Sequence, residues 1–289
     1  MIYYADLLVN GLALGCLYAM ASVGLTLIYG LLRILHIAHA GVFTLGAMIG
    51  ISLTNLTSSL VIGVTGAICL SMIAGCLMYR MFYERILREP PHVAVLISIG
   101  LLIVMEDSFR IIFGEEGITL HNNPFYLQTV DVAGIQLNVV FLALAATAVI
   151  TLTALAYFVN GTRVGIAWRA TVSKPLIAAS FGVDVVKVRY LAFGIGSMLA
   201  AIAGVMVAVM NNLVEPSFGS VVSYKSLAII VLGGLGNMNG ALLASLCLGL
   251  AESFGTAFFD SYLDRNAIAA LVLIVVLMVR PSGFGRGTS

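Results

Sequence analysis

Apolar runs of membrane-spanning length follow one another along almost the whole chain, and they constrain its fold more than any single motif does. A helix needs about 20 consecutive, mostly apolar residues to cross a bilayer. Such runs lie at residues 7–30, 38–55, 60–80, 93–113, 138–159, 189–210, 224–236, 240–258 and 265–280. Charged residues make up 9% of the 289, against about 25% in soluble domains. Too few polar groups are present to cover a water-facing surface, so lipid is the expected solvent. Backbone groups in hydrocarbon must be bonded within the chain, and these runs lack the alternation of barrel strands, so helices are predicted. The expected fold is an all-α polytopic bundle of eight or nine membrane segments, one domain across residues 1–289. Segments 38–55 and 224–236 are short and glycine-rich, and they are expected to be re-entrant or broken. The opening MIYYADLLVNG has neither a basic stretch nor a cleavage signal, so the first run is read as a retained membrane helix.

Sidedness follows from the basic residues. Of the 14 Lys and Arg, Arg33, Arg80, Arg85, Arg88, Arg163, Arg169, Lys174, Lys187, Arg189, Arg280 and Arg286 fall in connections on one side of the segment count. Arg110, Lys225 and Arg265 are left over. Asp6, Glu115, Glu116, Asp131, Glu215, Asp260 and Asp264 fall on the other side. The N-terminus is therefore predicted outside and the C-terminus in the cytoplasm. The net charge of +1 gives no nucleic-acid signal. Cys16, Cys69, Cys76 and Cys247 lie in apolar runs with no CxxC pair and read as small hydrophobes.

Small residues at four-residue spacing let helix backbones approach where lipid offers little hydrophobic drive. Gly11, Gly15 and Ala19 form one such stripe, and Gly196, Ala200, Gly204 and Ala208 another. Two glycine-rich or polar breaks interrupt the apolar pattern, one in each half: residues 30–41 and Gly233-Gly-Leu-Gly-Asn-Met-Asn-Gly240. Paired interruptions of this kind point to a transport path or gate. His36, His39, Asn237, Asn239 and Glu252 are the resulting candidates for that path. His36 and His39 stand three apart with no third ligand nearby, so polar positions at a helix break are expected and no metal. Glu252 stands alone in its apolar run and should turn toward water or a polar partner. Glu106, Asp107 and Arg110 lie near the outer end of one helix, with Glu106 and Arg110 spaced as an i,i+4 pair. They read as a neutralised interfacial pair or as a charged outer vestibule.

The longest stretch on the basic side is 160–188. Ser173 is the expected N-cap of a helix of about two turns, with Pro175 in its first turn and Gly182 as its stop. Ile177 and Phe181 share one face, with Leu176 adjacent. A helix this short is not stable alone, so it either packs on its own bundle, lies in the lipid interface, or receives a partner. The chain holds no GxxxxGK[ST], HExxH or GxSxG, so neither nucleotide binding nor hydrolytic catalysis is expected of it. No catalytic residue and no cofactor is predicted.

Three stretches resemble a known family: GLALGCLYAMASVGLTLIYGLLRILHIAHAGVFTLGAMIG at 11–50, RATVSKPLIAASFGVDVVKVRYLAFGIGSMLAAIAGVM at 169–206, and AIIVLGGLGNMNGALLASLCLGLAES at 228–253, with the tail RPSGFG at 280–285. They are similar to permease subunits of bacterial branched-chain amino acid ABC importers. The resemblance implies that 170–183 contains a coupling helix that fits a groove on an ATP-binding subunit, with Pro175, Ala178, Ala179 and Gly182 at family positions. It also implies a second permease or a second copy, an extracytoplasmic solute-binding protein, and the bacterial inner membrane. Branched-chain or related amino acids are the implied solutes. One departure is that the family often shows an Asn, then Ala-His-Gly, then an acidic or small residue, whereas His36-Ile-Ala-His39-Ala-Gly41 has no acid, which leaves the solute open. A stand-alone carrier or channel would share the bundle but would have no use for the 170–183 helix. A membrane-embedded enzyme would need a polar cluster at one depth that the sequence does not assemble.

Overall fold

The computed structural model describes residues 2–87, 89–121, 128–132, 135–259 and 265–279. The tail motif at 280–285, Arg88, Arg280, Arg286, Asp260 and Asp264 lie outside the described residues. The described chain is a helical bundle. Helix α1 spans Ile2–Leu32, α2 His39–Thr57 and α3 Leu60–Met78, which runs through a π-helical turn, Tyr79–Tyr83, into α4, Glu84–Ile86. Then come α5 Pro91–Phe113, α6 Val139–Gly161, α7 Arg163–Ser173, α8 Pro175–Ser180, α9 Val185–Asn211, α10 Phe218–Gly233, α11 Met238–Phe259 and α12 Arg265–Val279. Six of these spans are long and apolar enough to cross a membrane; α10 and α12 are shorter apolar helices.

Segment 38–55 is not broken. It is the continuous 19-residue α2, whose Thr44 and Thr54 hydroxyls bond to carbonyls four residues back, so their polar groups are satisfied within the helix. Segment 224–236 belongs to a helix that begins earlier, at Phe218, because the amide of Gly219 donates to Thr44 Oγ1 at 2.8 Å and ties the polar start of α10 to α2.

Helix α1 is the axis of the bundle. In its apolar window 89% of residues are buried, and in that of α9 83%, whereas α3 and α6 bury 22% each and form the periphery. α1 packs along α11 and α9, with α6 and α10 beside them. Backbones meet where side chains are missing. A Cβ at Gly249 of α11 would lie 2.6 Å from Gly15 Cα, and Gly24 and Gly196 face one another so closely that a Cβ on either would lie 2.9–3.0 Å from the other's carbonyl oxygen. The first stripe read from the sequence thus marks the α1–α11 seam, and the second faces α1 at Gly196 and α2 at Gly204, where a Cβ would collide with Phe43 O.

The two ends of the bundle are distinct. At one end β1 (Ile118–Thr119) and β2 and β3 (Thr129–Val132 and Ile135–Asn138) lie in the connection after α5, and β4 (Leu213–Val214) follows α9. β1 pairs antiparallel with β4, Ile118 opposite Val214; β2 and β3 form a hairpin. Asn55, at the end of α2, donates to Thr119 O at 2.8 Å and accepts from His121 N at 2.9 Å. At the other end Gly30 of α1 lies against Val172 of α7 and the Gly236 turn. That turn needs glycine: Gly234 and Gly236 have φ of 90° and 82°, where a side chain is strained.

Replacing Gly249 with leucine is expected to lower the melting temperature of the detergent-purified chain by the equivalent of about 1–3 kcal/mol, the usual cost of overpacking. Gly100→Ala, at a position with nothing within 4 Å, should leave that temperature unchanged. Equal melting of the two variants would show that α1 and α11 do not need this close approach.

Candidate functional site

The 160–188 stretch holds two helices where one was expected. Thr162 caps α7, accepting from Gly165 N at 3.0 Å while donating to Phe158 O at 2.7 Å. Trp168, 2% exposed, pins α7 to the bundle. Ser173 is not an N-cap: it is the last residue of α7, and the break falls at Lys174, whose extended backbone (φ −146°, ψ 86°) turns the chain. Lys174 occupies the cap position of α8 with no side-chain hydrogen bond, and Pro175, which has no N–H to satisfy, follows as the first helical residue.

The C-terminal end of α8 closes by a Schellman arrangement. Val183 N donates to Ala178 O at 3.1 Å, Gly182 N donates to Ala179 O at 3.0 Å, and Gly182 has φ 83°. Two residues on, Asp184 caps α9 by accepting from Lys187 N at 3.1 Å and pairs with Lys187 Nζ at 3.2 Å. These bonds from Lys187 hold the Asp184 carboxyl below its ordinary range. Helix α8 is thus joined through a closed turn and a capped start to the 27-residue α9. Ala178 is buried against the protein, while Leu176 and Phe181 are each 84% exposed and Ile177 50%. Ala179 is exposed beside them.

A cavity of about 430 Å³ opens beside α7, between α1, α6 and the start of α11. Its walls are apolar (Leu27, Leu152, Leu155, Trp168, Leu242) and its polar edge is made by Asn160, Arg169, Asn237 and Asn239. Its size suits a small organic molecule. Arg169 Nη1 donates to Asn160 Oδ1 at 3.3 Å, and Asn237 Oδ1 accepts from Gly240 N at 3.1 Å, capping α11. Asn237 and Asn239 therefore share a cavity wall, with Asn237 also holding the glycine turn in shape.

The other path candidates lie elsewhere. Glu252 turns toward polar partners, as expected. Its Oε1 is 2.9 Å from Lys225 Nζ and its Oε2 accepts from Tyr18 Oη at 2.7 Å, while Lys225 Nζ donates to Tyr18 Oη at 3.0 Å. All three are buried. The triad joins α1, α10 and α11, and its signs in the sequence were Glu252 and Lys225, each a lone charge in an apolar run. His36 and His39 sit in an aromatic knot. His36 Nδ1 is 2.7 Å from Tyr83 Oη, with its ring 5.1 Å from Phe193, and His39 Nε2 is 3.2 Å from Ala21 O. Among the described residues no group of three His, Cys, Asp or Glu gathers at metal distance. On α5 the expected Glu106–Arg110 pair is replaced by Asp107–Arg110 at 3.0 Å, about half exposed. The three-residue spacing brings Arg110 to Asp107 rather than to Glu106.

Comparison with known proteins follows the same outline. A family model described as the branched-chain amino acid transport system permease component matches residues 7–280. The high-affinity branched-chain amino acid transport system permease protein LivH of Escherichia coli (strain K12) is 26% identical over 302 residues, covering 98% of this chain and 95% of LivH. BraD of Pseudomonas aeruginosa, described in the same terms, is 27% identical over 294 residues, covering 97% and 95%. The solved structure of PsaBC from Streptococcus pneumoniae in complex with Fab shares the fold, with a TM-score of 0.50 at 13% identity over 94% of this chain and 91% of that one.

Removing one partner of the buried pair strands the other charge, so Lys225→Met and Glu252→Gln should each cost about 3–5 kcal/mol of stability. The double variant Lys225→Met/Glu252→Leu should recover most of that loss. Thermal melting of the purified chain in detergent reads all three, and additive losses would show that the two side chains do not act as a pair.

Proposed function

This chain belongs to the permease component family of branched-chain amino acid transport systems, and from that premise we propose how its parts work as the membrane-spanning subunit of an ABC importer. The α8 segment, residues 173–182, is the lever that docks on an ATP-binding subunit. The observation that carries this reading is the exposure of Leu176 and Phe181, both 84%, on a short helix closed at its C-terminal end and clamped to α9. Large apolar side chains held rigidly in water have a use only when a partner covers them. Movement of the partner then swings α9, one of the two most buried helices, as a rigid body.

Nine crossings fit the element lengths: the six long apolar spans, α5, α10 and α12. Alternation then puts Arg33, Arg80, Arg85, Arg163, Arg169, Lys174, Lys187 and Arg189 on one side, which the bias of basic residues makes cytoplasmic. The N-terminus lies outside and the C-terminus inside. The contact of Gly30 with the Gly236 turn and the β1–β4 pairing, at opposite ends, support that alternation. The whole chain acts as one permease domain, with 160–188 as its cytosolic coupling segment.

On this arrangement the cavity beside α7 is an inner vestibule. Its aliphatic walls suit an apolar side chain, and Asn239 and Arg169 at its edge suit polar termini. Solutes are branched-chain or related amino acids, handed over outside by a binding protein. The outer charges Glu106, Asp107 and Arg110 lie on the face that protein meets. A second permease, similar or identical, completes the conduit in the bacterial inner membrane.

Leu176→Asp/Phe181→Asp should weaken association with the ATP-binding subunits by about 30-fold or more, since a central apolar contact is worth about 2 kcal/mol. ATP-driven uptake in proteoliposomes should fall with it, while the melting temperature of the chain stays the same. Uptake that persists in the double variant, or uptake by the chain alone without ATP-binding subunits, would refute the lever.

A further inference from the structure

A second cavity, of about 550 Å³, lies at the basic end of the bundle between the α3–α4 junction and the start of α9. It is lined by Tyr79, Glu84, Arg85, Leu87, Val186 and Arg189. We infer that this cavity holds the phosphate headgroup of an anionic phospholipid of the inner leaflet. The charges do not cancel within the protein. Glu84 accepts from Tyr190 Oη at 3.0 Å, and among the described residues the ion pairs are Arg110–Asp107, Lys187–Asp184 and Lys225–Glu252. Two guanidinium groups therefore share the lining with one carboxylate, and neither is paired to it.

Arg189 Nε and Tyr79 Oη are buried at this site with no hydrogen bond of good geometry, and the Arg189 side chain lies within reach of the Tyr79 hydroxyl. Both are donors, and both are held in place. Tyr79 packs edge-on against Tyr190 at 4.6 Å and tilted against Phe193 at 5.2 Å. An anion with several acceptor oxygens satisfies both at once, and a guanidinium fork beside a hydroxyl suits phosphate. The π-helical turn at Tyr79–Tyr83, in which Glu84 N reaches back to Tyr79 O, forms one wall; turns of this kind recur at functional sites.

The surroundings point to a lipid rather than to a soluble anion. The cavity stands at the end of the apolar span Leu60–Ile86, which on the sidedness proposed above is the level of the inner-leaflet headgroups. Leu70, Ile73, Leu77 and Met81, each about half exposed, form an apolar stripe at three- and four-residue spacing along the outside of α3, ending at the π-helical turn beside the cavity. They offer an apolar track for an acyl chain, with Val186 and Leu191 exposed alongside on α9. Because α9 follows directly from the coupling segment, a lipid bound here braces the helix that the lever moves.

The test uses the full-length chain, purified in detergent, incubated with phosphatidylglycerol or phosphatidylcholine and weighed by native mass spectrometry. The expected result is retention of phosphatidylglycerol at least about tenfold better than phosphatidylcholine, abolished in Arg85→Gln/Arg189→Gln and kept in Arg163→Gln. If the double variant does not fold, Tyr79→Phe, which removes only a hydroxyl, is read in its place and should retain several-fold less lipid. Equal retention of the two lipids by the wild type overturns the proposal. So does stabilisation by inorganic phosphate equal to that by phosphatidylglycerol, which would make the ligand a free anion. Loss of ATP-binding subunits from Arg85→Gln/Arg189→Gln with lipid retention unchanged also overturns it, assigning the arginines to a protein contact.

Discussion

Along α1, backbone meets backbone. Gly11 and Gly15 admit α11, and Gly24 admits α9 through Gly196. In hydrocarbon there is little free energy to gain by hiding one apolar side chain behind another, so the contacts must come from close van der Waals fit and from polar groups satisfied inside the bundle. Both operate here. The glycine seams bring α9 and α11 close to the axis. The Tyr18–Lys225–Glu252 triad then joins α1, α10 and α11 at a depth where an unpaired charge is costly. With the axis in place, the remaining helices need only pack one face and can leave the other to lipid, as α3 and α6 do.

That architecture has a mechanical consequence. A helix surrounded by others moves only if its neighbours move with it. α9 is such a helix, and its first residues follow directly from α8 and its Schellman closure. Under the function proposed above, force applied to Leu176 or Phe181 would reach the bundle centre through the capped start of α9. On the other side of α8 the break at Lys174 leads to α7, fixed by Trp168 and bordering the cavity that Asn237 and Asn239 also line. Helix α8, the cavity wall and the glycine turn thus lie at one end of the molecule.

Much of this was legible in the residues. Lipid solvation, helicity, the order of the segments and the two small-residue stripes follow from local composition, because hydrocarbon imposes the same backbone rule on every span. Pro175 and Gly182 announced the ends of a short helix because their backbone preferences act locally. Where local signals competed, the reading slipped. Ser173 is a good capping residue by type, but helix α7 continues through it. Segment 38–55 looked weak for its glycines, yet Gly46 and Gly50 pack against Ala201 and Val205 of α9 and the helix runs unbroken. For Glu252 a polar partner was expected, but which one was not legible, because the partners are 27 and 234 positions away in sequence.

What the sequence determined by itself was therefore everything set by one residue and its near neighbours: solvent class, secondary structure, helix ends, and the family to which the 11–50, 169–206 and 228–253 motifs point. Tertiary structure alone decided the pairings. It put Lys225 against Glu252 and Tyr18, turned His36 and His39 into an aromatic knot, and gathered Tyr79, Arg85 and Arg189 at one cavity. The physical reason is that a charge or hydrogen-bond donor is satisfied by whatever lies within about 3 Å of it in space, and among packed helices that neighbour is rarely close in sequence.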